Sequence, residues 1–487
     1  MKLQSTSSLS SPSSPPSPSS SLIVKQTVLC IAVLCTLFGY TQGGLVWDDH
    51  LLLSEGLWQN SSLSDIWFQS VQGGDIAGQY YRPIPMTLLS LFPSVLVLHC
   101  ISLLLHLGST WLLGQWLKSE YDNTLVVCGM LLFAIHPLQT EVLGWVSCLP
   151  DILAVHFGLW SVVLAVQNRH AVLISGALLC GLLSKEIAML PLIAYGCSTV
   201  WKGSVSQKKM NVQPWMWSSG VVLVGVFALR VYLHIETVLP SDFSTIPHTT
   251  WMTIGLGWFG WVWPFPHYPV RDVWALPMWQ AVVGWVLCVL MLWKSDKRMG
   301  WFIVMGAVTL SLPPVWVGYF AAERYLYMAT VGFVWLMCGM LSNFDMWKRL
   351  PHRILSLVWI LGMMGVHWTR APIWNTDAEL FNHATTVLPD SGYAWHLHGM
   401  QAAQKGSFDE ATTAFTKAAQ QDHSHHQSRE FAIRSALEAG LNSEAFELAE
   451  SGPKDGLTRG YLEVWLQAAE SVGHSNRAQE LRMLLEQ

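Results

Sequence analysis

The sequence predicts an all-α protein, in which a polytopic bundle of membrane-spanning helices is followed by an α-solenoid of short helical repeats. Of the 487 residues, 52% are hydrophobic and only 12% are charged, which is more apolar surface than one soluble core can bury. The apolar runs end near residue 370, and the polar chain beyond them repeats after 34 and then 33 residues. A net charge of −5 gives no basic surface for a nucleic acid, so no such partner is expected.

The N-terminus divides into two parts. Residues 1–24 are rich in Ser and Pro, lack apolar periodicity and are expected to be disordered. The apolar run 28–40 has the length of a signal-peptide core, but no small-residue cleavage site follows it. We therefore predict an uncleaved first membrane helix with its N-terminus inside.

Ten further apolar runs precede residue 370. Several are shorter than the roughly 20 residues that cross a bilayer, so polar flanks must complete them. The runs are 94–117, 123–133, 152–166, 172–183, 187–201, 215–233, 278–293, 301–317, 325–341 and 354–368. With the first helix they predict about eleven spans.

The aromatic run 251–263 is short, and the distribution of positive charge decides how to count it. If this run crossed the membrane, Lys294, Lys297 and Arg298 would fall outside, against the preference of cations for cytoplasmic loops. We therefore interpret the run as interfacial or re-entrant. The membrane domain is then 25–370, and its first outer loop, 41–93, lies on the same non-cytoplasmic side as a repeat domain at 371–487.

Charged motifs return to that outer face five times. Each alone has a plain explanation as a hydrated helix end, an interface anchor or a local ion pair. They are Asp48 with Asp49, Tyr81 with Arg82, the group His136, Glu141 and Asp151, Lys185 with Glu186, and Glu323 with Arg324. Their convergence on one face favours a site, because ionisable residues within membrane helices generally line a pathway or bind a ligand.

The repeat domain shows its period in small residues. Glycines recur at 406, 440 and 473, and alanines at 411, 445 and 478. In the clearest unit, the tetratricopeptide positions are filled by Trp395, Gly399, Gly406, Ala411, Phe415 and Ala418, and a preceding half-unit ends with Phe381, Ala384 and Pro389. Small residues are needed where paired helices cross closely. The later units lose most aromatic residues, and a generic helical hairpin remains the alternative.

The order of these motifs resembles one known family. Asp48-Asp49, Tyr81-Arg82-Pro83, a Leu-Phe-Ala-Ile-His-Pro run ending at Pro137, Ser-Lys-Glu at 184–186 and Glu-Arg-Tyr-Leu-Tyr at 323–327 precede the repeats. This arrangement is similar to the transmembrane-and-tetratricopeptide-repeat O-mannosyltransferases and their prokaryotic relatives, within the GT-C glycosyltransferase superfamily. The resemblance extends from about residue 47 to the C-terminus.

The resemblance implies an inverting sugar transfer. A polyprenyl-phosphate donor, expected to carry mannose, would glycosylate a hydroxyl, expected to be a protein Ser or Thr presented by the repeats. The reaction would take place on the non-cytoplasmic face of a bacterial inner membrane or of an endoplasmic-reticulum membrane.

The resemblance and the residue chemistry together assign roles. Asp49 is the first candidate for general base and Asp48 the second, since adjacent carboxylates raise one pKa towards a useful range. Arg324 is the first candidate to bind the donor phosphate, because a guanidinium pairs with phosphate in bidentate fashion. Lys185 and Arg82 follow. The other expected substrate-site residues are Tyr81, His136, Glu141, Asp151, Glu186 and Glu323.

Three points stay open in the sequence. No cofactor is certain, although Asp48, Asp49 and Glu141 could hold a divalent metal. The family's Gly-Arg-Ala-Asp run is here Cys-Leu-Pro-Asp, so that Leu149 replaces an arginine while Asp151 is kept. A non-catalytic membrane scaffold and a lipid or sugar transporter are the alternatives, although no internal repeat between membrane halves supports a transporter.

Overall fold

A computed structural model describes the chain over residues 33–34, 36–54, 62–68, 81–205, 213–233, 244, 246–265, 268–294, 298–318, 320–342, 350–421, 426–452 and 457–486. The expected disorder at 1–24 and residues 28–32 and 35 of the first predicted span lie outside these residues. The described chain is helical apart from one short antiparallel pairing of β1 (Arg271–Asp272) with β2 (Phe320–Ala321). The all-helical prediction is thus confirmed at the level of fold class.

The described residues up to Arg370 contain fourteen α-helices. They are α1 Leu63–Phe68, α2 Pro83–Leu91, α3 Val95–Leu117, α4 Asn123–Ile135, α5 Thr140–Gly144, α6 Leu149–Val166, α7 Ala171–Leu182, α8 Met189–Val205, α9 Pro214–Tyr232, α10 Ile246–Val262, α11 Met278–Lys294, α12 Arg298–Gly318, α13 Tyr327–Ser342 and α14 Leu350–Arg370. Short turns of 3-10 helix lie at Phe38–Gln42, Pro137–Gln139, Val146–Cys148, Glu186–Ala188, Glu323–Leu326 and Ala371–Trp374, and a π-helical turn at His50–Ser54.

Four helical stretches of the described residues are long and apolar enough to cross a membrane. They are Val95–Leu117, Val146–Val166, Pro214–Tyr232 and Glu323–Ser342. A fifth is formed if Asn123–Ala134 and Pro137–Gly144, bent by 45°, count as one broken span. Shorter apolar helices occur at Ala171–Leu182, Glu186–Trp201, Met278–Leu292 and Gly300–Leu312. This composition is compatible with an integral membrane protein.

The break after α4 shapes the centre of the bundle. Pro137 has no backbone N–H and ends the regular helix, which leaves the last carbonyl groups of α4 without intrahelical donors. His106 donates from Nε2 to the carbonyl of Ala134 at 3.0 Å, and His367 donates from Nε2 to that of Ile135 at 3.0 Å. These buried histidines stabilise the break, and the chain that follows it carries Glu141 and Ser147.

Seven helices form the C-terminal part of the described chain. They are α15 Asp377–Val387, α16 Gly392–Gln404, α17 Phe408–Gln421, α18 His426–Glu438, α19 Asn442–Glu450, α20 Arg459–Ser471 and α21 Ser475–Leu485. The helices α16–α17, α18–α19 and α20–α21 are three successive hairpins, which correspond to the repeat read from the sequence. Helix α14 ends at Arg370 and α15 begins at Asp377, on either side of the predicted domain boundary.

Each hairpin turns at the equivalent glycine. Gly406, Gly440 and Gly473 have φ of +76°, +77° and +77°, the left-handed conformation that glycine adopts without a steric penalty. The residue after Gly406 donates to the carbonyl of Ala402 at 2.9 Å, which is the longer bond of a Schellman motif. Within the first hairpin, a Cβ on Gly399 would lie 2.8 Å from the ring of Phe415, so the two helices require a small residue there.

The first repeat helix packs directly on the membrane part. Gly44 donates its backbone N–H to the carbonyl of Asn375 at 3.0 Å, and Trp374 and Phe381 belong to the same buried core as Trp145. Apolar contact therefore continues from the bundle into the helical hairpins. This contact includes Gly44, which precedes the paired aspartates in the chain.

Candidate functional site

The acidic pair lies in a tight turn, and its two carboxylates have different surroundings. Asp49 is fully buried. Its Oδ1 accepts hydrogen bonds from the Ser147 backbone N–H at 2.7 Å and the Ser147 hydroxyl at 2.5 Å, and its Oδ2 accepts from the Val46 N–H at 3.3 Å. Burial raises the pKa of Asp49 to about 7, the bonds from Ser147 and Val46 oppose this rise, and the charge of Asp48 adds to it.

Asp48, by contrast, is solvent-accessible. Surrounding protein nevertheless raises its pKa above the ordinary value, and the positive charge of Arg324 opposes that rise. Asp48 is therefore the member of the pair that a bound molecule can touch, with the charge of Arg324 acting on it.

Arg324 is held against an aromatic wall and a buried carboxylate. Its Nη1 donates to Glu141 Oε1 at 3.0 Å, and the other oxygen of Glu141 accepts the backbone N–H of Glu323 at 2.6 Å. The guanidinium lies 4.3 Å from the ring centre of Trp145 and 5.1 Å from that of Tyr325. Such stacking fixes the plane of the guanidinium. The Arg324 side chain keeps 17% of its surface exposed.

Glu323, the neighbour of Arg324, is enclosed by protein. It is fully buried, and its Oε2 lies 3.7 Å from Nη1 of Arg370. Arg370 also donates to the carbonyl groups of Pro137 at 2.9 Å and of Pro264. Glu323 thus belongs to a buried network that joins the ends of α4, α10 and α14.

Lys185 and Asp151 form a second ion pair beside the first. Nζ of Lys185 lies 2.7 Å from Oδ1 of Asp151, and both side chains are nearly inaccessible. Lys185 also lies 5.7 Å from the ring centre of Tyr325, so this one ring contacts both Lys185 and Arg324. The motifs around Asp151, Lys185 and Arg324 therefore meet in space, as the sequence predicted.

Leu149, at the position where the resemblance to the family leads one to expect an arginine, has apolar surroundings. Leu149 is fully buried in a cluster with Leu53, Leu89, Leu98 and Leu153. A guanidinium there would lose its hydration without a polar environment to replace it. The positive charge beside Asp151 comes instead from Lys185.

A third charged group surrounds Glu186, and an apolar groove lies between α7 and α9. Glu186 pairs with Nη1 of Arg230 at 3.1 Å, and Arg82 and Lys185 act on the same carboxylate through their charge. The groove has a volume of about 410 Å³ and is bordered by Trp67, Tyr81, Leu179, Val226 and Tyr232 among others. Tyr81 is buried and donates its hydroxyl to the carbonyl of Trp67 at 3.0 Å.

His136 takes no part in this surface. Its Nε2 donates to the carbonyl of Trp261 at 3.0 Å, and its Nδ1 accepts the N–H of Leu138 at 3.2 Å. With both ring nitrogens bonded to backbone groups in a fully buried position, the imidazole is a structural brace at the helix break. The expectation that His136 contacts substrate finds no support in this geometry.

The three carboxylates considered for a metal point to different partners. Asp49 accepts from Ser147 and Val46, whereas Glu141 accepts from Arg324 and the Glu323 N–H. Over the residues that the structure describes, no group of three or more His, Cys, Asp or Glu side chains has the spacing of a metal site. The set Asp48, Asp49 and Glu141 is therefore not a metal-binding cluster in this arrangement.

Sequence reasoning missed several residues of the site. Ser147, Trp145 and Arg230 each contact a predicted residue, yet none of them lies in a recognised sequence motif. Asp377 contacts Trp47 and His50, the residues on either side of the acidic pair. Arg230 carried the clearest signal, since a cation in the last turn of the apolar helix α9 is costly without a partner.

Comparison of the chain with protein-family models, with curated proteins and with solved structures found no significant match.

Proposed function

We propose that this protein is a membrane glycosyltransferase that moves a sugar, expected to be mannose, from a polyprenyl-phosphate donor to a hydroxyl group, expected to be a protein Ser or Thr. The observation that carries the proposal is that the accessible carboxylate of Asp48 lies within the field of the Arg324 guanidinium. A carboxylate base and a fixed cation are the two groups that displacement of a phosphate from a sugar requires.

The reaction is a single inverting displacement. The acceptor oxygen attacks the anomeric carbon as a carboxylate removes its proton, and the bond from that carbon to the phosphate oxygen breaks. The phosphate leaves as an anion and keeps the electron pair of the broken bond. The carboxylate and the cation must therefore lie on opposite sides of the sugar ring.

Asp48 is the better candidate for the base within the pair. A general base must come within hydrogen-bond distance of the proton that it removes, and Asp48 is accessible whereas Asp49 is enclosed. Asp49 would instead hold the turn, since both of its oxygens accept hydrogen bonds from the protein. This reverses the order of preference that the residues alone suggested.

Arg324 is the best candidate for the leaving phosphate. Its side chain is partly exposed and pre-oriented by Trp145 and Tyr325. Glu141 balances its charge while donor is absent, and a phosphate would share that guanidinium. Lys185, on the other side of Tyr325, supplies further positive charge close by.

The apolar groove between α7 and α9 suits part of the donor's lipid. Its volume of about 410 Å³ is in the usual range of ligand pockets, and its walls are almost entirely apolar and aromatic. Arg82 and Arg230 lie beside Glu186 near its wall. A lipid chain in the groove would leave its phosphate near these cations and Lys185.

The proposed architecture is a GT-C bundle of about eleven spans with a tetratricopeptide solenoid on the non-cytoplasmic side. The clustering of the charged motifs at helix ends and the three glycine-turned hairpins support it. Sidedness is tested with single cysteines at Ser64 and Ser407, both exposed. Both should react with a membrane-impermeant thiol reagent in intact cells or sealed right-side-out vesicles, and protection of one alone contradicts the span count.

Transfer is tested with purified full-length protein, labelled polyprenyl-phosphate mannose and a peptide rich in Ser and Thr. We expect label on the peptide from the wild type and almost none from Asp48→Asn. Asp65→Asn is the matched control, because this carboxylate lies in the same loop and accepts hydrogen bonds from Ser62. Absence of transfer by wild type across donor lipids and acceptors would overturn the proposal.

A non-catalytic scaffold is the second candidate. It is favoured by the ion pairing, since Arg324, Lys185 and Arg230 all have carboxylate partners in the described structure. In a scaffold these pairs would serve only to hold helix ends together. The transfer assay separates the two, because a scaffold leaves the peptide unlabelled and is insensitive to Asp48→Asn.

A further inference from the structure

One carboxylate of the repeat domain bonds to residues on both sides of the acidic pair. Oδ1 of Asp377 accepts the backbone N–H of Trp47 at 2.7 Å, and its Oδ2 lies 3.0 Å from Nε2 of His50. Asp48 and Asp49 lie between these two residues in the chain. Asp377 is therefore attached to the acidic turn at its entry and at its exit.

The entry residue has a conformation that needs support. Trp47 has φ of +53°, a left-handed backbone that non-glycine residues seldom adopt. Its ring stacks on Trp145 with centres 5.0 Å apart and meets the edge of Phe381 at 5.9 Å. Bonding from Asp377 and packing from both domains thus hold Trp47 in this conformation.

A close backbone approach adds to the same contact. The N–H of Gly44 bonds to the carbonyl of Asn375, and a Cβ at Gly44 would lie 2.5 Å from that oxygen. The chain before the acidic turn therefore lies directly against the segment that carries Asp377. Asp49 is held separately, by Ser147 of the membrane part.

We propose that Asp377 is a positioning residue for sugar transfer, through which the repeat domain fixes the orientation of Asp48. The inference rests on the proposed function. Loss of Asp377 would leave Asp49 bonded to Ser147 but remove a common partner of Trp47 and His50. The turn would then sample other conformations, and Asp48 would spend less time aligned with the acceptor. Activity would thus depend on the docking of the repeat domain.

The test compares Asp377→Ala and Asp377→Asn in the full-length protein by steady-state kinetics and by hydrogen exchange of residues 44–52. Asp377→Ala should lower kcat by up to about 100-fold, the cost of a misplacement of roughly 1 Å at a reacting group. The donor KM should change little. Asp377→Asn keeps an oxygen for the Trp47 N–H and should lose less. Asp390→Ala, at an exposed carboxylate of the same segment, is the matched control.

Faster exchange in 44–52 together with a lower kcat in Asp377→Ala supports the proposal. Faster exchange with an unchanged kcat overturns the positioning role, and unchanged exchange overturns the attachment itself. If Asp377→Ala misfolds, the test uses Asp377→Asn. The proposal then requires that this variant have a kcat below that of wild type and faster exchange in 44–52 than wild type. A wild type that transfers no sugar but shows slow exchange in 44–52, lost in Asp377→Ala, refutes the proposed function while the attachment stands.

Discussion

Ser147 gives two hydrogen bonds to a single oxygen of Asp49, one from its backbone N–H at 2.7 Å and one from its hydroxyl at 2.5 Å. Both donors favour the ionised carboxylate and oppose the rise in pKa that burial causes. With a pKa of about 7, Asp49 changes charge within the physiological range. Ser147 thereby influences the pH at which Asp49 becomes an ionised carboxylate.

Transfer should rise with pH through about 7, because the turn needs Asp49 as a carboxylate and the base must be deprotonated. Ser147→Ala removes a hydrogen bond that lowers the pKa of Asp49. The acidic limb of the pH–activity profile of this variant should therefore move to higher pH. A hydrogen bond to a charged group contributes roughly 1.5–3 kcal/mol, so the midpoint of the acidic limb should move by roughly one to two pH units.

The measurement is kcat/KM against pH for wild type and Ser147→Ala. Ser119→Ala serves as the control, because the Ser119 hydroxyl donates to the Trp116 carbonyl at the C-terminal end of α3. A profile for Ser147→Ala that overlays the wild type would show that Asp49 does not govern the acidic limb.

The two aspartates should differ in their response to amide substitution. Asp48→Asn removes the proposed base, and turnover should fall by about 10²- to 10⁴-fold. Asp49→Asn keeps one oxygen for Ser147 but places an amide NH₂ opposite the N–H of Val46, so a smaller fall in turnover and some loss of stability are expected. Initial rates at saturating donor compare the two variants, with Asp65→Asn as control. A larger fall in Asp49→Asn would return the role of base to Asp49.

The sequence predicted that the charged motifs lie together, and Asp151, Lys185 and Arg324 do meet around Tyr325. The other partners of these residues were not predictable. Charged motifs that interrupt apolar runs must lie at helix ends, so alternate loops bring Asp48, Lys185 and Arg324 to one face. Sequence does not reveal that Ser147 bonds to Asp49, because a serine costs little wherever it lies. Nor does it distinguish Asp48 from Asp49, since only the direction of the turn decides which carboxylate is enclosed.

In the fold, too, some features were predictable from the sequence and others were not. The glycine period predicted the hairpins of the C-terminal part, because a left-handed turn restricts the choice of residue. The break at Pro137 was visible as a proline, but the cost of the freed carbonyl groups is met by His106 and His367 from distant helices. Runs such as α7, with 12 residues, are too short for length alone to decide whether they span.

Two glycines of the repeats should tolerate alanine to different degrees. Gly440→Ala adds a methyl group in open space but at φ of +77°, which costs roughly 1–2 kcal/mol. Gly399→Ala places the methyl group 2.8 Å from the Phe415 ring and forces the helices apart, so it should destabilise at least as much, by about 1–3 kcal/mol. Gly406→Ala and Gly473→Ala should match Gly440→Ala.

Pulse proteolysis of the repeat domain in urea, in the full-length protein, measures these differences. Gly362→Ala is the control, since its methyl group meets no atom within 4 Å and its backbone is helical. Equal stability of Gly399→Ala and wild type would contradict the close crossing of α16 and α17.

Arg324→Lys should leave the protein folded but weaken its use of donor. The guanidinium lies over the ring of Trp145, and its Nη1 donates to Glu141 at 3.0 Å. The ammonium group of lysine does not reproduce this arrangement. An interface anchor would tolerate lysine, because lysine keeps the charge and extends as far. A phosphate-binding arginine would not, so kcat/KM for the donor should fall by at least tenfold, the effect of about 1.4 kcal/mol of lost transition-state binding.

The experiment is a donor titration of wild type and Arg324→Lys in the same detergent. Arg434→Lys is the matched control, since this exposed arginine pairs with Glu430 on one face of α18 and should give the wild-type curve. Lys185→Arg adds a second comparison, because it keeps the positive charge beside Asp151 while changing its shape. If the Arg324→Lys curve coincides with wild type, Arg324 is an anchor, and the leaving phosphate must be bound by Lys185 or Arg82.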